Sequence, residues 1–270
     1  MGTMHRSVSQ VKAYDKCPYA YKLERVDKVW ARPAAWLAQG LAVHEAAEWW
    51  ENTMRSGTTE ETQERYRDAY AAHTNRMCKT TPNLDYWFAS GPYKGEQDIE
   101  RRFAIGLDQV AGYIEYYEVR APEEKVWITP DDVPAVELRF DMECDGVKVV
   151  GYIDQLIDHP EYGVIPRDIK TGSTPGDDFQ LAVYARAVED MFGAVLPGLR
   201  LDQGDYWMGR TKNRKGGPTK PYDLADWGRP EVDAVFKQMD QAVKAGEFEP
   251  KPSRENCNFC PVSLSCEFAV

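Results

Sequence analysis

The stretch GYIDQLIDHPEYGVIPRDIKTGSTPGDDFQLAVY, residues 151–184, decides the fold. Its first residues continue a pattern begun upstream, where Val136, Leu138, Phe140 and Met142 alternate with polar residues as in a half-buried strand. Asp145-Gly146 reads as a tight hairpin turn, and a second strand runs through Val147, Val149, Gly151 and Ile153. A third covers Gly163 to Lys170. Asp177 or Asp178 then starts a helix that carries Gln180 to Phe192 and ends at Gly193. Residues 203–210 suggest another strand, and Pro230 to Ala245 another helix. Strand, turn, strand, strand, helix is a mixed α/β core.

Outward from this core, Ser7 and Ser9 are N-cap candidates for a helix through roughly Tyr14 to Val26, and a second helix runs from Trp36 to about Met54. Residues 58–120 read as a helical lobe rich in Tyr and Trp, interrupted near Pro82 and at Gly91-Pro92. The expected layout is a single domain over 1–270. It divides into N-terminal helices (7–57), the lobe (58–121), the core (122–209), a basic loop (210–228) and a C-terminal segment (229–270).

Pairing of the second and third strands would bring Asp154 and Asp168 together at one sheet edge. Converging carboxylates repel unless a positive charge lies between them. A hard cation such as Mg2+ or Mn2+ suits oxygen ligands of this kind. Lys170, two residues beyond Asp168, points to the same face, where an ammonium can orient water or stabilise charge on a phosphate. DxK alone is a weak signal, since most such pairs are surface ion pairs. His44, inside Gly40-Leu41-Ala42-Val43-His44-Glu45-Ala46, is a candidate further metal ligand, although a lone helical histidine is ordinarily just a satisfied side chain. Gln180 and Tyr184 share a helix face at i, i+4, which ordinary helix–sheet packing would also explain. Glu137 is a supplementary acid of little weight, because half the polar positions of a strand face water. The order His, GxxD, DxK, QxxxY along one chain is hard to collect by chance.

The 270 residues carry a net charge of −11, which does not advertise a nucleic-acid partner. A local basic groove can nevertheless sit on an acidic body. No apolar run reaches membrane-spanning length, and the N-terminus lacks the apolar segment of a signal peptide. A cytoplasmic protein is expected. Its six cysteines then suggest metal rather than disulfides. Cys257-x2-Cys260-x5-Cys266 leaves a four-ligand site one ligand short, with Cys17, Cys78 and Cys144 as candidates for the fourth. Cys17-Pro18 repeats the dipeptide Cys260-Pro261. On chemistry alone, zinc and an iron–sulfur cluster are equally acceptable.

The string GYID-(x13)-DIKTG-(x7)-QLAVY, with GLAVHEA upstream, resembles the RecB-like branch of the PD-(D/E)xK nuclease superfamily. The resemblance covers about residues 7–190 and resumes at the C-terminus, with Ile153 where the superfamily's name has proline. It implies a restriction-endonuclease-like mixed sheet flanked by helices. It also implies a metal-binding and catalytic set of His44, Asp154, Asp168 and Lys170, with the backbone carbonyl of Ile169 as a further ligand and Gln180 and Tyr184 as the motif that follows. One cysteine near the start and three at the end resemble the iron–sulfur staple of the AddB and CRISPR-associated RecB-like nucleases. That implies a structural [4Fe-4S] cluster held by Cys17, Cys257, Cys260 and Cys266, joining the N- and C-terminal regions.

The activity so implied is Mg2+- or Mn2+-dependent exonuclease cleavage of single-stranded DNA or DNA ends, in recombination, repair, replication or CRISPR spacer processing. The setting would be bacterial or phage-encoded. There is no Walker A motif, so any motor would be a helicase or another recombination or CRISPR partner. Lys212, Arg214 and Lys215 would contact phosphates. Some of Trp49, Trp50, Tyr86, Trp87 and Tyr93 would stack on unpaired bases, with more of them in the core. The alternative is a catalytically idle DNA-end-binding module stabilised by an iron–sulfur or zinc site.

Overall fold

The computed structural model describes residues 5–209 and 216–270. Five α-helices come first: α1 (Val8–Lys16), α2 (Pro18–Tyr21), α3 (Ala35–Asn52), α4 (Thr59–Thr80) and α5 (Gly95–Glu115). Then come strands β1 (Lys125–Val126), β2 (Val136–Cys144), β3 (Val147–His159) and β4 (Gly163–Lys170), helix α6 (Asp178–Phe192) and strand β5 (Gln203–Met208). Beyond them lie β6 (Gly217–Pro218), β7 (Tyr222–Asp223), α7 (Arg229–Ala245) and α8 (Arg254–Cys257). The sheet order is β1-β3-β4-β5-β6, with β2 added to β3 and β7 to β5. β3 and β4 are antiparallel, whereas β4 and β5 are parallel and are therefore joined by a crossover, which α6 supplies.

The chain forms two compact units: Met1–Pro33, Asp141–Gly151 and Gly228–Val270 make one, and Ala34–Phe140 with Tyr152–Trp227 make the other. In the first, Ser7 caps α1 by accepting from the Gln10 amide. The single helix expected over 14–26 is instead broken at Cys17, and a π-helix, Lys22–Val26, completes it after α2. Pro18 forces Cys17 into an extended backbone (φ −161°), which ends α1, and the same proline then opens α2 at its first position. α7 buries Val232, Phe236, Met239 and Val243, spaced 4, 3 and 4, as one apolar stripe. Arg6 lies beside β3 as a parallel bridge to Val149, and its fully buried guanidinium pairs with Asp240 at 2.8 Å. Asp145 and Gly146 both take positive φ (46° and 82°), as a two-residue hairpin turn with the twist of its strands requires.

The second unit is built on α3, α4 and α5. Ala38, Ala42 and Ala46 give α3 a narrow buried edge, against which aromatic residues including Trp50, Tyr66, Tyr70, Tyr113 and Trp207 form the core. Gly106 is required here: a Cβ on it would stand 2.0 Å from the Tyr66 hydroxyl. On β4, Arg167 is fully buried and meets both oxygens of Asp205 at 2.6 and 2.7 Å, with Glu124 and the Tyr117 hydroxyl as further partners. A buried charge is tolerable only when paired and hydrogen-bonded in this way. Because alternate strand residues point to opposite faces, Arg167 anchors β4 on one side while Asp168 faces the other.

Candidate active site

The β3–β4 register pairs Gln155 with Arg167, so Asp154 and Asp168 stand next to each other where the pairing ends. The Asp154 carboxylate accepts the Ile169 amide at 2.8 Å. Its Oδ2 also lies 3.3 Å from His44 Nδ1, and the imidazole is 4.0 Å from Glu137 Oε1. Ligand atoms of His44, Glu137 and Asp154 all fall within 4.8 Å of one another. Glu137 therefore enters the site despite the little weight its sequence position carries. It takes a positive φ of 45° in β2, which interrupts the simple strand alternation that would aim it at solvent.

Burial and mutual charge set the electrostatics of the group. Burial lifts the Asp154 carboxyl, the charge of Asp168 adds to the effect, and the result is about 7 despite His44 and the Ile169 amide. For His44, burial opposes the charged form, but Asp154, helped by Glu137 and Asp168, outweighs it and holds the imidazole at about 9.

Asp168 sits outside this three-residue group and is held differently. Lys170 Nζ is 2.6 Å from its Oδ2, and the Gln180 side-chain amide and the Tyr184 hydroxyl both donate to its Oδ1. Gln180 also donates to Tyr184 Oη at 2.9 Å and accepts from Lys170 at 3.5 Å. Asp177 caps α6 by accepting from the Gln180 backbone amide, which fixes the turn that presents Gln180. The Tyr206 ring lies beneath the ammonium at 5.4 Å. Gln180 and Tyr184 thus position Asp168 and Lys170. Of Ile169, it is the backbone amide that touches the site, through Asp154.

A cavity of about 530 Å³ opens beside the three-residue group, lined on one side by α3 residues Trp36, Leu37, Leu41, His44, Glu45 and Glu48 and on the other by Glu137, Asp154 and Thr171. The aromatic residues proposed for stacking are mostly elsewhere. Trp50 and Trp87 are buried in packing, while Trp49 and Tyr93 are covered by Arg65 and Arg101. Lys212, Arg214 and Lys215 lie outside the described residues.

Within the other unit, Cys17, Cys257, Cys260 and Cys266 line one small, mainly apolar cavity with Pro250, Pro252 and Phe268. The Lys251 amide donates to Cys17 Sγ at 3.4 Å, and Asn256 reaches the Lys16 carbonyl at 3.1 Å, so the last segment is tied to the corner that Pro18 creates. Burial pushes the Cys260 thiol up, and Cys17 and Cys266 add to the shift. Cys144 is buried on β2, as the alternation with Phe140 and Met142 implies.

A family model described as the PD-(D/E)XK nuclease superfamily matches residues 5–267. The chain belongs to that superfamily. It is 45% identical over 264 residues to the Gene 69 protein of Mycobacterium phage D29, covering 97% of this chain and 96% of that one. The Gene 69 protein of Mycobacterium phage L5 is 44% identical over 284 residues, covering 97% and 95%. A solved structure of a presumed exonuclease from Eubacterium rectale aligns with 97% of this chain and 87% of its own at 13% identity and a TM-score of 0.47. The chain is thus a member of a nuclease superfamily, with a His–carboxylate group and a DxK lysine in one site. Among the described residues, no helix is long and apolar enough to cross a membrane.

Proposed function

We propose that this protein is a metal-dependent deoxyribonuclease of the RecB-like kind, cutting single-stranded DNA or DNA ends as an exonuclease. The observation that carries the reading is the meeting of His44, Glu137 and Asp154 within 4.8 Å, beside Asp168 with Lys170 at 2.6 Å. The donor set fits a divalent cation: carboxylate oxygens and one imidazole converge, and burial together with the charge of Asp168 pushes Asp154 up to about 7. Asp154, His44 and Glu137 would hold Mg2+ or Mn2+, with Asp168 and the Ile169 carbonyl adjoining. The cation, when bound, supplies Lewis-acid polarisation of the scissile phosphodiester.

The chain's own groups do the rest. Lys170 places an ammonium where negative charge develops on the phosphorus oxygens. Asp168 aims that ammonium, and Gln180 with Tyr184 fixes Asp168, so the lysine needs no rearrangement during the reaction. The test is digestion of end-labelled single-stranded and duplex DNA with Mn2+. Wild type should release nucleotides from an end, and Lys170→Ala should lose at least about a hundredfold in rate. Absence of metal-dependent cleavage on every substrate would reject the reading.

For the cysteines, the proposal is a structural [4Fe-4S] cluster on Cys17, Cys257, Cys260 and Cys266. Their shared apolar cavity supports it. A tetrahedral four-cysteine zinc site is the alternative occupant of the same thiols. Anaerobically purified protein should be brown with a broad visible absorbance; colourless protein containing zinc would replace cluster with zinc.

A further inference from the structure

The cavity beside the His–carboxylate group is lined by two kinds of side chain. Leu37 and Leu41, one helical turn apart on α3, stand 47% and 49% exposed, which is unusual for leucines lining a cleft. They share the helix face of His44 and Glu48 at i, i+4, i+7 and i+11. Trp36, next to them, is held between the Phe88 ring at 5.6 Å and the Arg102 guanidinium at 5.6 Å, so this apolar end is rigid. Acidic groups share the cavity: Glu45, tethered by His73 at 2.6 Å, and Glu48 stand on α3 with the leucines, and Glu137 lies across from them.

These walls select their occupant. Three carboxylates repel phosphate everywhere in the cavity except where a cation sits. What remains favourable is an apolar, uncharged group with edge donors, and a nucleobase is that: a π-face for leucine and tryptophan, and exocyclic amino groups for carboxylates. The distances suit one nucleoside. Leu41 lies about 4.5 Å and Leu37 about 10.5 Å along the helix axis from His44, at ~1.5 Å rise per residue.

We propose that Leu37 and Leu41 form a ledge that receives the unpaired base adjoining the scissile phosphate, which makes the site specific for single-stranded or frayed DNA. A paired base could not turn into the cavity without leaving its stack. The inference rests on the nuclease reading and extends it to the substrate's strandedness and to two residues outside the DxK motif.

The experiment uses single strands of one sequence, each carrying one abasic site at successive positions, with Mn2+ and the full-length protein. Wild type should cut a strand lacking the base next to the scissile bond about fivefold or more slower than the intact strand. Leu37→Ala/Leu41→Ala should cut both at the same, lower rate. Equal rates by wild type, or undiminished discrimination by the leucine variant, would overturn the ledge. A variant that keeps discrimination but sediments differently would assign the leucines to self-association, which overturns it too. Binding provides a readout that needs no cleavage: Lys170→Ala protein should hold the intact strand at least about fivefold more tightly than the abasic one. If wild type cuts nothing, the nuclease reading fails, and this affinity ratio alone decides for or against the base pocket.

Discussion

At the scale of single residues, the site is organised by a conflict between charges. Asp154 keeps its proton up to about 7 rather than its ordinary 3.8, because burial and Asp168 both oppose its ionisation. A cation must displace that proton and the one His44 holds up to about 9. Mn2+ affinity should therefore climb about a hundredfold per pH unit below 7 and about tenfold per unit from there to 9, as titration calorimetry between pH 5.5 and 9 would show. The linkage to folding has a matching sign. A raised carboxyl contributes stability that is complete below 3.8 and lost as pH rises through 7. The melting temperature of metal-free protein should fall across that window, and the gain on adding Mn2+ should grow. A gain independent of pH would reject the assignment of Asp154 as a ligand. Much of this constellation was legible beforehand, since His44, Asp154, Asp168, Lys170, Gln180 and Tyr184 do converge. Glu137 was legible only as a supplementary acid of little weight, because its inward aim depends on a left-handed backbone that no period-2 pattern encodes. Leu37 and Leu41 were also hidden, since an exposed leucine and a core leucine look alike in a string of letters.

At the scale of elements, β4 is the part on which the site depends. One of its faces carries Asp168 and Lys170, and the other is fastened by Arg167 to Glu124 and Asp205. Arg167→Met would take the guanidinium from two buried carboxylates, Glu124 and Asp205. It should cost about 3–5 kcal/mol in urea unfolding, and Mn2+ affinity should fall with it. A loss under about 1 kcal/mol would show that the network adds nothing to β4. The strands and α6 follow from hydrophobic alternation, from the Asp145-Gly146 turn and from the Asp177 cap, all local signals. The break at Cys17 is local as well, yet it hides inside an otherwise helical pattern and turns on one proline. The bridge of Arg6 to Val149 and its pairing with Asp240 are long-range, and nothing near Arg6 announces them.

At the scale of the whole molecule, the proposed cluster would join positions 17 and 257, which lie 240 apart. By analogy with a cross-link of that span, it would limit the unfolded chain by about 5 kcal/mol. Cys260→Ser should lose cluster absorbance and most of that stability together, read by visible spectra and thermal unfolding of the same sample. A cluster-free variant with wild-type stability and activity would remove the structural role. The unit that holds these cysteines is also discontinuous, made from three stretches of chain that the other unit interrupts. On a ribosome this sets a timetable. Arg6 emerges well before Asp240, its counter-charge, which is added 234 positions later. Until then the guanidinium lacks the carboxylate that offsets its burial, so a chain ending before Asp240 would be short of one buried ion pair.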